Sequence, residues 1–276
     1  MEALKQQGNQ QIDLRDTLFL PLGERLFTAR VEATSCGVLA HGQHAAELLI
    51  EHGCELLERA ADGTLLEPGD AVLSYLGQAK QVAIAEDRVL GAMMAPSGYA
   101  TRARQLKLLA GPNLKVVCGG WKKLPQASKP GLHAALAAAG IGMRMVEGPF
   151  IYMDKNYVRM FGSVRQTLQA AKQFPHHKTV IQLRGEIEPI ELEAREAVRG
   201  SADVVMVDTG DLRDLDIVLQ VLEELGARDH TKIAFAGGIK EETILLLRER
   251  PVDLIDVGAA VLDAPLLDMR VNVVEY

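Results

Sequence analysis

Four groups of residues combine types and spacings that could do chemistry on an anion or a sugar. Asp208 closes the run Val204-Val205-Met206-Val207, where a carboxylate leaves the core and can reach a metal ion or a hydroxyl group. The same position also suits a helix cap or a loop anchor. Gly237-Gly238 ends another such run and Gly258-Ala259 the next. Small residues at consecutive strand ends leave backbone N–H groups open to a phosphate, although ordinary tight turns use glycine as well. Lys122, in Gly119-Gly120-Trp121-Lys122-Lys123, directly follows a β-rich run and a double glycine, where an anion site is built. Glu186-Ile187-Glu188 follows a further run, and with Asp208 offers paired carboxylates of the kind Mg²⁺ accepts beside substrate phosphates. Solvated acids at a helix N-terminus explain those glutamates equally well.

Other candidates carry less. Adjacent His176 and His177 point in different directions and have no third ligand at helical spacing, so they read as a surface loop. Arg102 and Arg104 read as a solvated face, and the methionines, Met93-Met94, Met143 and Met145 among them, as core filler. Walker, GxGxxG, GxSxG and HExxH patterns do not occur.

The elements that must hold these residues follow from the apolar pattern. After Glu86 the chain repeats a short β-rich run, a Gly-rich loop and a longer helical stretch, the rhythm of a parallel α/β architecture. Leu114–Cys118, Thr179–Leu183, Val204–Asp208, Lys232–Ala236 and Leu254–Gly258 predict buried parallel strands. Pro189–Arg199, with proline in its first turn, and Asp211–Leu225, ending at Gly226, predict helices. Five or six such repeats are too few for an eight-unit barrel, so a shortened barrel or an open sheet is expected. Ahead of them, Phe27–Ala33 alternates like a strand, Gly37–Gly42 enters a helix that runs through His44–His52, and the turn Glu67–Asp70 leads into a strand at Ala71–Leu76. That is a small α/β module, preceded by a segment that breaks at Pro21-Leu22-Gly23.

Composition bounds the rest. The 276 residues are 48% hydrophobic and 24% charged, close to an ordinary globular average, which excludes collagen, coiled coil and wholesale disorder. A formal charge of −7 argues against a nucleic-acid partner. No apolar run has the length of a membrane span and the first residues lack a signal-peptide core, so a cytoplasmic protein is expected. Three cysteines without CxxC spacing predict neither a disulfide framework nor a zinc site.

These residues resemble the quinolinate phosphoribosyltransferases, also called carboxylating nicotinate-nucleotide pyrophosphorylases, including their branch linked to molybdate transport. The likeness covers nearly the whole chain. It is carried by Ala29–Ala33, Gly37–Ala40, Leu66–Asp70, Glu86, Ser97–Thr101, Leu192–Val198, Ala202–Asp208, Ala236–Ile239 and Val252–Ala259. It implies an α/β-sandwich domain over residues 25–95 and a shortened, incomplete α/β barrel of the type II phosphoribosyltransferase kind over 96–265. A docking segment (1–24) would precede them, and a C-terminal segment (266–276) would pack back on the first domain. It also implies Mg²⁺, a homodimer with its site at the subunit interface, and transfer of phosphoribose from phosphoribosyl pyrophosphate to quinolinate with loss of CO₂.

By the same resemblance Lys122, Arg144, Lys155, Glu188 and Asp208 are the catalytic set, Glu188 and Asp208 its metal ligands. Trp121, Lys123, Asp154, Asn156, Ala236, Gly237, Gly238, Gly258 and Ala259 surround the substrate. The chain departs from the family where carboxylates are gripped. The family's Arg-Lys pair is Trp121-Lys122, its Asn-His-Arg triplet is Gly142-Met143-Arg144, and its Lys-Asp-Asn triplet is Asp154-Lys155-Asn156. Ala95 replaces an arginine and Ala236 a serine, and Glu188 matches only with a one-residue gap. An arginine that forks onto a carboxylate is not replaced by a tryptophan, so a dianion such as quinolinate should bind badly here. The expected activity is therefore transfer to another small aromatic or heterocyclic acceptor. A paralogue that binds a ligand without turnover, accessory to cofactor or metal metabolism, is the alternative. A lyase or isomerase using Lys155 or Asp154 as base is a third possibility.

Overall fold

The computed structural model describes residues 13–275, so part of the expected docking segment lies outside them. The chain divides into two compact units: residues up to Ser97 together with the segment from Leu267, and Gly98–Leu266.

In the first unit a short helix α1 (Leu14–Leu18) precedes β1 (Leu26–Ala33), β2 (Gly37–Val38), α2 (Gly42–Glu51), β3 (Glu55–Arg59), β4 (Leu65–Leu66) and β5 (Ala71–Gln78). Along β1, Ala29, Val31 and Ala33 are buried while Arg30 faces out, the period of two expected of a strand with one covered face. α2 covers that face with Ala45, Ala46 and Leu49, and Tyr75 and Leu73 of β5 fill the space beneath.

Next comes α3 (Ala79–Ala110), with Pro96 inside it. Proline has no N–H to give the carbonyl four residues back, and that normally breaks a helix. Here the freed carbonyl of Ala92 is taken by the His41 ring Nδ1 at 3.0 Å, with His41 held in the left-handed region (φ 67) as the residue ahead of α2. A side chain of the neighbouring helix thus satisfies the acceptor that the proline orphans.

The second unit continues with β6 (Lys115–Val117), α4 (Lys129–Ala139), β7 (Phe150–Met153), α5 (Lys155–Phe161), α6 (Val164–Ala171), β8 (Lys178–Leu183), α7 (Ile190–Arg199), β9 (Val204–Val207), α8 (Leu212–Glu224), β10 (Lys232–Phe235), α9 (Glu241–Leu247), β11 (Leu254–Asp256) and α10 (Gly258–Leu262). Six parallel strands lie in the order β6-β11-β10-β9-β8-β7, an incomplete barrel. The strands are buried on both faces: Val205 and Val207 pack under the helices, while Val204 and Met206 join Val180, Ala234 and Leu254 inside the curl. α7 buries Ile190, Ala194 and Ala197 at helical spacing and starts after Pro189, which stands just outside it rather than in its first turn. Finally β12 (Met269–Glu275) pairs antiparallel with β1, giving the first unit's sheet the order β12-β1-β5-β3. No helix among the described residues is long and apolar enough to cross a membrane.

Candidate active site

In a parallel sheet all strands deliver their last residues to one end, and here those ends enclose a cavity of about 540 Å³. β6 runs into Gly119 and the tight turn Gly120–Lys123, which brings Trp121, Lys122 and Lys123 to the wall. β7 contributes Phe150 and Tyr152 and hands over to Asp154; β8 contributes Gln182; β9 gives Met206 and is followed by Asp208. The loops after β10 and β11 add Ala236, Gly237, Gly238, Asp256, Gly258 and Ala259.

The glycines are required by close approach. Gly237 has φ 107, and any side chain there would collide with the backbone of Gly210 in the preceding loop. The loops after β6 and β11 are pinned by one carboxylate: Asp256 Oδ1 accepts the N–H groups of Gly119 (2.8 Å) and Gly258 (3.0 Å). Burial pushes the Asp256 carboxyl above its ordinary value, and those two N–H bonds pull it back only in part. Tyr152 is likewise raised, first by burial and then by Asp208, Asp256 and Asp154, so it stays a neutral hydroxyl; its partner is the Met206 sulfur at 3.4 Å. Cys118, under the Gly119-Gly120 turn, is raised to about 11 by burial and is no nucleophile at neutral pH.

Of the residues expected from sequence, Trp121, Lys122, Lys123, Asp154, Asp208, Ala236, Gly237, Gly238, Gly258 and Ala259 line this one cavity. Arg144, Lys155, Asn156 and Glu188 are not among its lining. Arg144 lies in an irregular segment ahead of β7. After the single bridge between Gly142 and Val117 the chain bends toward β7, and in that bend Met143 and Met145 line the cavity while Arg144 is exposed, its guanidinium 5.9 Å from the Phe150 ring centre. Lys155 opens α5 and gives its backbone N–H to Gln182 Oε1 at 2.6 Å, and Asn156 is exposed in the same turn. Asp154 caps that helix, accepting from the N–H groups of Asn156 and Tyr157. His176 and His177 are exposed in the loop before β8.

The carboxylate pair expected to hold Mg²⁺ is not assembled. Glu188 lies in the loop before α7, and what meets Asp208 is the Gln182 side-chain amide together with Arg184, whose Nη1 is 3.1 Å from Asp208 Oδ2 and 2.7 Å from its carbonyl oxygen. Arg184 Nε is bonded in turn to Glu186 (2.7 Å), and Glu186 to Arg159. Among the described residues no three His, Cys, Asp or Glu side chains are grouped so as to hold a metal ion. Gln182 and Asp256 were accessible to sequence reasoning as lone polar residues inside apolar strand runs. Tyr152 and the two inward methionines had no such signal, because β7 is short and the segment before it has no regular secondary structure.

Comparison with known proteins shows which family and fold the chain shares. Residues 99–272 match the family model described as the C-terminal domain of quinolinate phosphoribosyl transferase. The chain is 25% identical over 272 residues to the probable carboxylating nicotinate-nucleotide pyrophosphorylase of Methanocaldococcus jannaschii, covering 96% of this chain and 92% of that one. It is 24% identical over 254 residues to the carboxylating enzyme of Dictyostelium discoideum (86% and 83% covered). The solved nicotinate-nucleotide pyrophosphorylase of Francisella tularensis superimposes with a TM-score of 0.80 at 18% identity, over 95% of this chain and 90% of that one.

Proposed function

Since this chain belongs to the quinolinate phosphoribosyltransferase family, we propose that it transfers phosphoribose from phosphoribosyl pyrophosphate to a small nitrogen heterocycle other than quinolinate. In that reaction the ring nitrogen's electron pair forms the bond to the sugar carbon, the carbon–oxygen bond to diphosphate breaks, and diphosphate leaves. Lys122 and Lys123 line the cavity together with the glycine loops and would take the phosphates, while Asp208 would stabilise positive charge developing at the sugar carbon.

The observation that carries the choice of acceptor is the wall on which it would lie. Met143, Met145, Phe150, Tyr152 and Met206 form it, with Trp121 at the rim, and among the described residues the only cations lining the cavity are the two lysines against Asp154, Asp208 and Asp256. Two acceptor carboxylates buried on thioethers and rings would be left uncompensated, whereas an uncharged or singly charged planar ring stacks well there. The test is diphosphate release from phosphoribosyl pyrophosphate with quinolinate, with nicotinate-like monocarboxylates and with uncharged heterocycles. Release with one of the latter two and not with quinolinate is expected; efficient turnover of quinolinate refutes the acceptor assignment.

The clamp on Asp208 favours a second reading, an accessory protein that binds such a ligand without turnover. Calorimetric binding with no diphosphate release from any acceptor would select it. A cytoplasmic homodimer, each cavity closed by the partner copy, belongs to the transferase proposal, and light scattering tests the dimer.

A further inference from the structure

The side chains around Asp208 form a row of alternating charge. Arg159 binds Glu186, Glu186 binds Arg184 through Nε, and Arg184 binds Asp208 through Nη1 at 3.1 Å. Gln182 donates its amide N–H to the same Asp208 oxygen, and that amide's carbonyl oxygen is held by the Lys155 N–H at 2.6 Å, which fixes which end of Gln182 faces the carboxylate. The Asp208 charge is therefore met by the protein itself, by a guanidinium that has no neutral form at working pH. A divalent cation at this oxygen would have to displace Arg184 and Gln182 or sit beside a positive charge, and Mg²⁺ needs its carboxylate ligands in near-ideal octahedral geometry. The same cavity is lined by Lys122 and Lys123 after β6, and the loops after β10 and β11 present small residues to an anion.

We propose that this cavity binds its diphosphate-bearing ligand without a divalent metal, Arg184 supplying at Asp208 the positive charge that a metal would otherwise bring. This rests on the reading of the cavity as an anion site, and the experiment separates the two. Inorganic diphosphate is titrated calorimetrically into the full chain, once with EDTA and once with Mg²⁺. Affinity in EDTA equal to or higher than that with Mg²⁺ is expected. Binding seen only with Mg²⁺, or at least tenfold weaker in EDTA, overturns the proposal and leaves the anion site standing. Binding in neither buffer overturns both.

A second measurement uses Mn²⁺ alone, read from the electron paramagnetic resonance of the free ion. The native chain should leave the signal intact. The double substitution Gln182→Glu with Arg184→Gln, its fold checked by circular dichroism, makes a pair of uncompensated carboxylates and should attenuate it. Attenuation by the native chain, or none by the folded double variant, refutes the role given to Arg184.

Discussion

Removing the Asp256 carboxylate tests how the cavity is held together. Asp256 Oδ1 accepts from Gly119 at 2.8 Å and from Gly258 at 3.0 Å, so one side chain ties the lysine-bearing turn after β6 to the loop after β11. Asp256→Ala leaves two half-buried N–H donors without their acceptor, at about 1–3 kcal/mol each, against which the relief of burying a charge must be set. A net loss of about 3 kcal/mol is expected, which for a chain of this size lowers the thermal midpoint by about 6–12 °C. Asp256→Asn keeps a carbonyl oxygen at the same place and drops the charge, so its loss should stay below about 1 kcal/mol. Differential scanning calorimetry reads both variants, and diphosphate titration shows whether the loops still form the cradle. If Asp256→Ala melts within about 2 °C of the native chain and binds diphosphate as well, the two bonds do not carry the architecture assigned to them.

Other expectations can be checked alongside. Burial raises the Asp256 carboxyl in the folded chain, so the native state holds that proton more tightly than the unfolded one, and this group's contribution to stability falls as pH rises through the window above its ordinary value of 3.8. Asp256→Asn should therefore gain on the native chain in urea midpoint between pH 4 and pH 7; a constant difference contradicts the burial argument. Trp121 is the chain's single tryptophan and lines the cavity, so a planar ligand should quench or shift its emission, and a ligand that binds silently does not lie against it. Of the three cysteines only Cys36 is exposed, and its bond to Glu67 raises its thiol, so an aromatic disulfide reagent at pH 8 should label one thiol per native chain, and slowly. Rapid labelling of two or three would disprove the burial of Cys54 and Cys118. His41→Ala strips the Ala92 carbonyl of its partner beside Pro96 and should cost about 1–2 kcal/mol in urea titration, a neutral result meaning that water serves that carbonyl as well.

Much of the second unit was legible because parallel strands buried on both faces have to be short and β-rich. Lys232–Phe235 and Leu254–Asp256 lie within the runs expected, and Asp208, Gly237 and Gly258 stand at the strand ends where a site was sought. What no local pattern announced was the accommodation of Pro96 inside α3, since the partner of the freed carbonyl is a histidine more than fifty residues away in sequence. Arg144 and Lys155 were carried into the site by register along a matched motif, yet an irregular bend before β7 and a first helical turn each have their own geometry. Met143 and Met145 took the inward positions instead. Glu188 was sought as Asp208's partner at the loop, where the acids are plentiful, but Gln182, the last inward-facing residue of β8, is already within reach. The charges that Arg184 and Glu186 bring to Asp208 depend on the loop after β8 folding back, which no local pattern specifies.

The close approach of Gly210 and Gly237 means that part of the cradle is main chain against main chain. The grip on a phosphate proposed for it would be a property of the path of the strands, insulated from exchanges in the side chains around it. The opposite wall, made of methionines, aromatic rings and a tryptophan, can be rewritten residue by residue without disturbing that grip. On the proposed function, handle and cargo would be separable, so that a chain keeping the handle could take a new cargo at the cost of a few side chains.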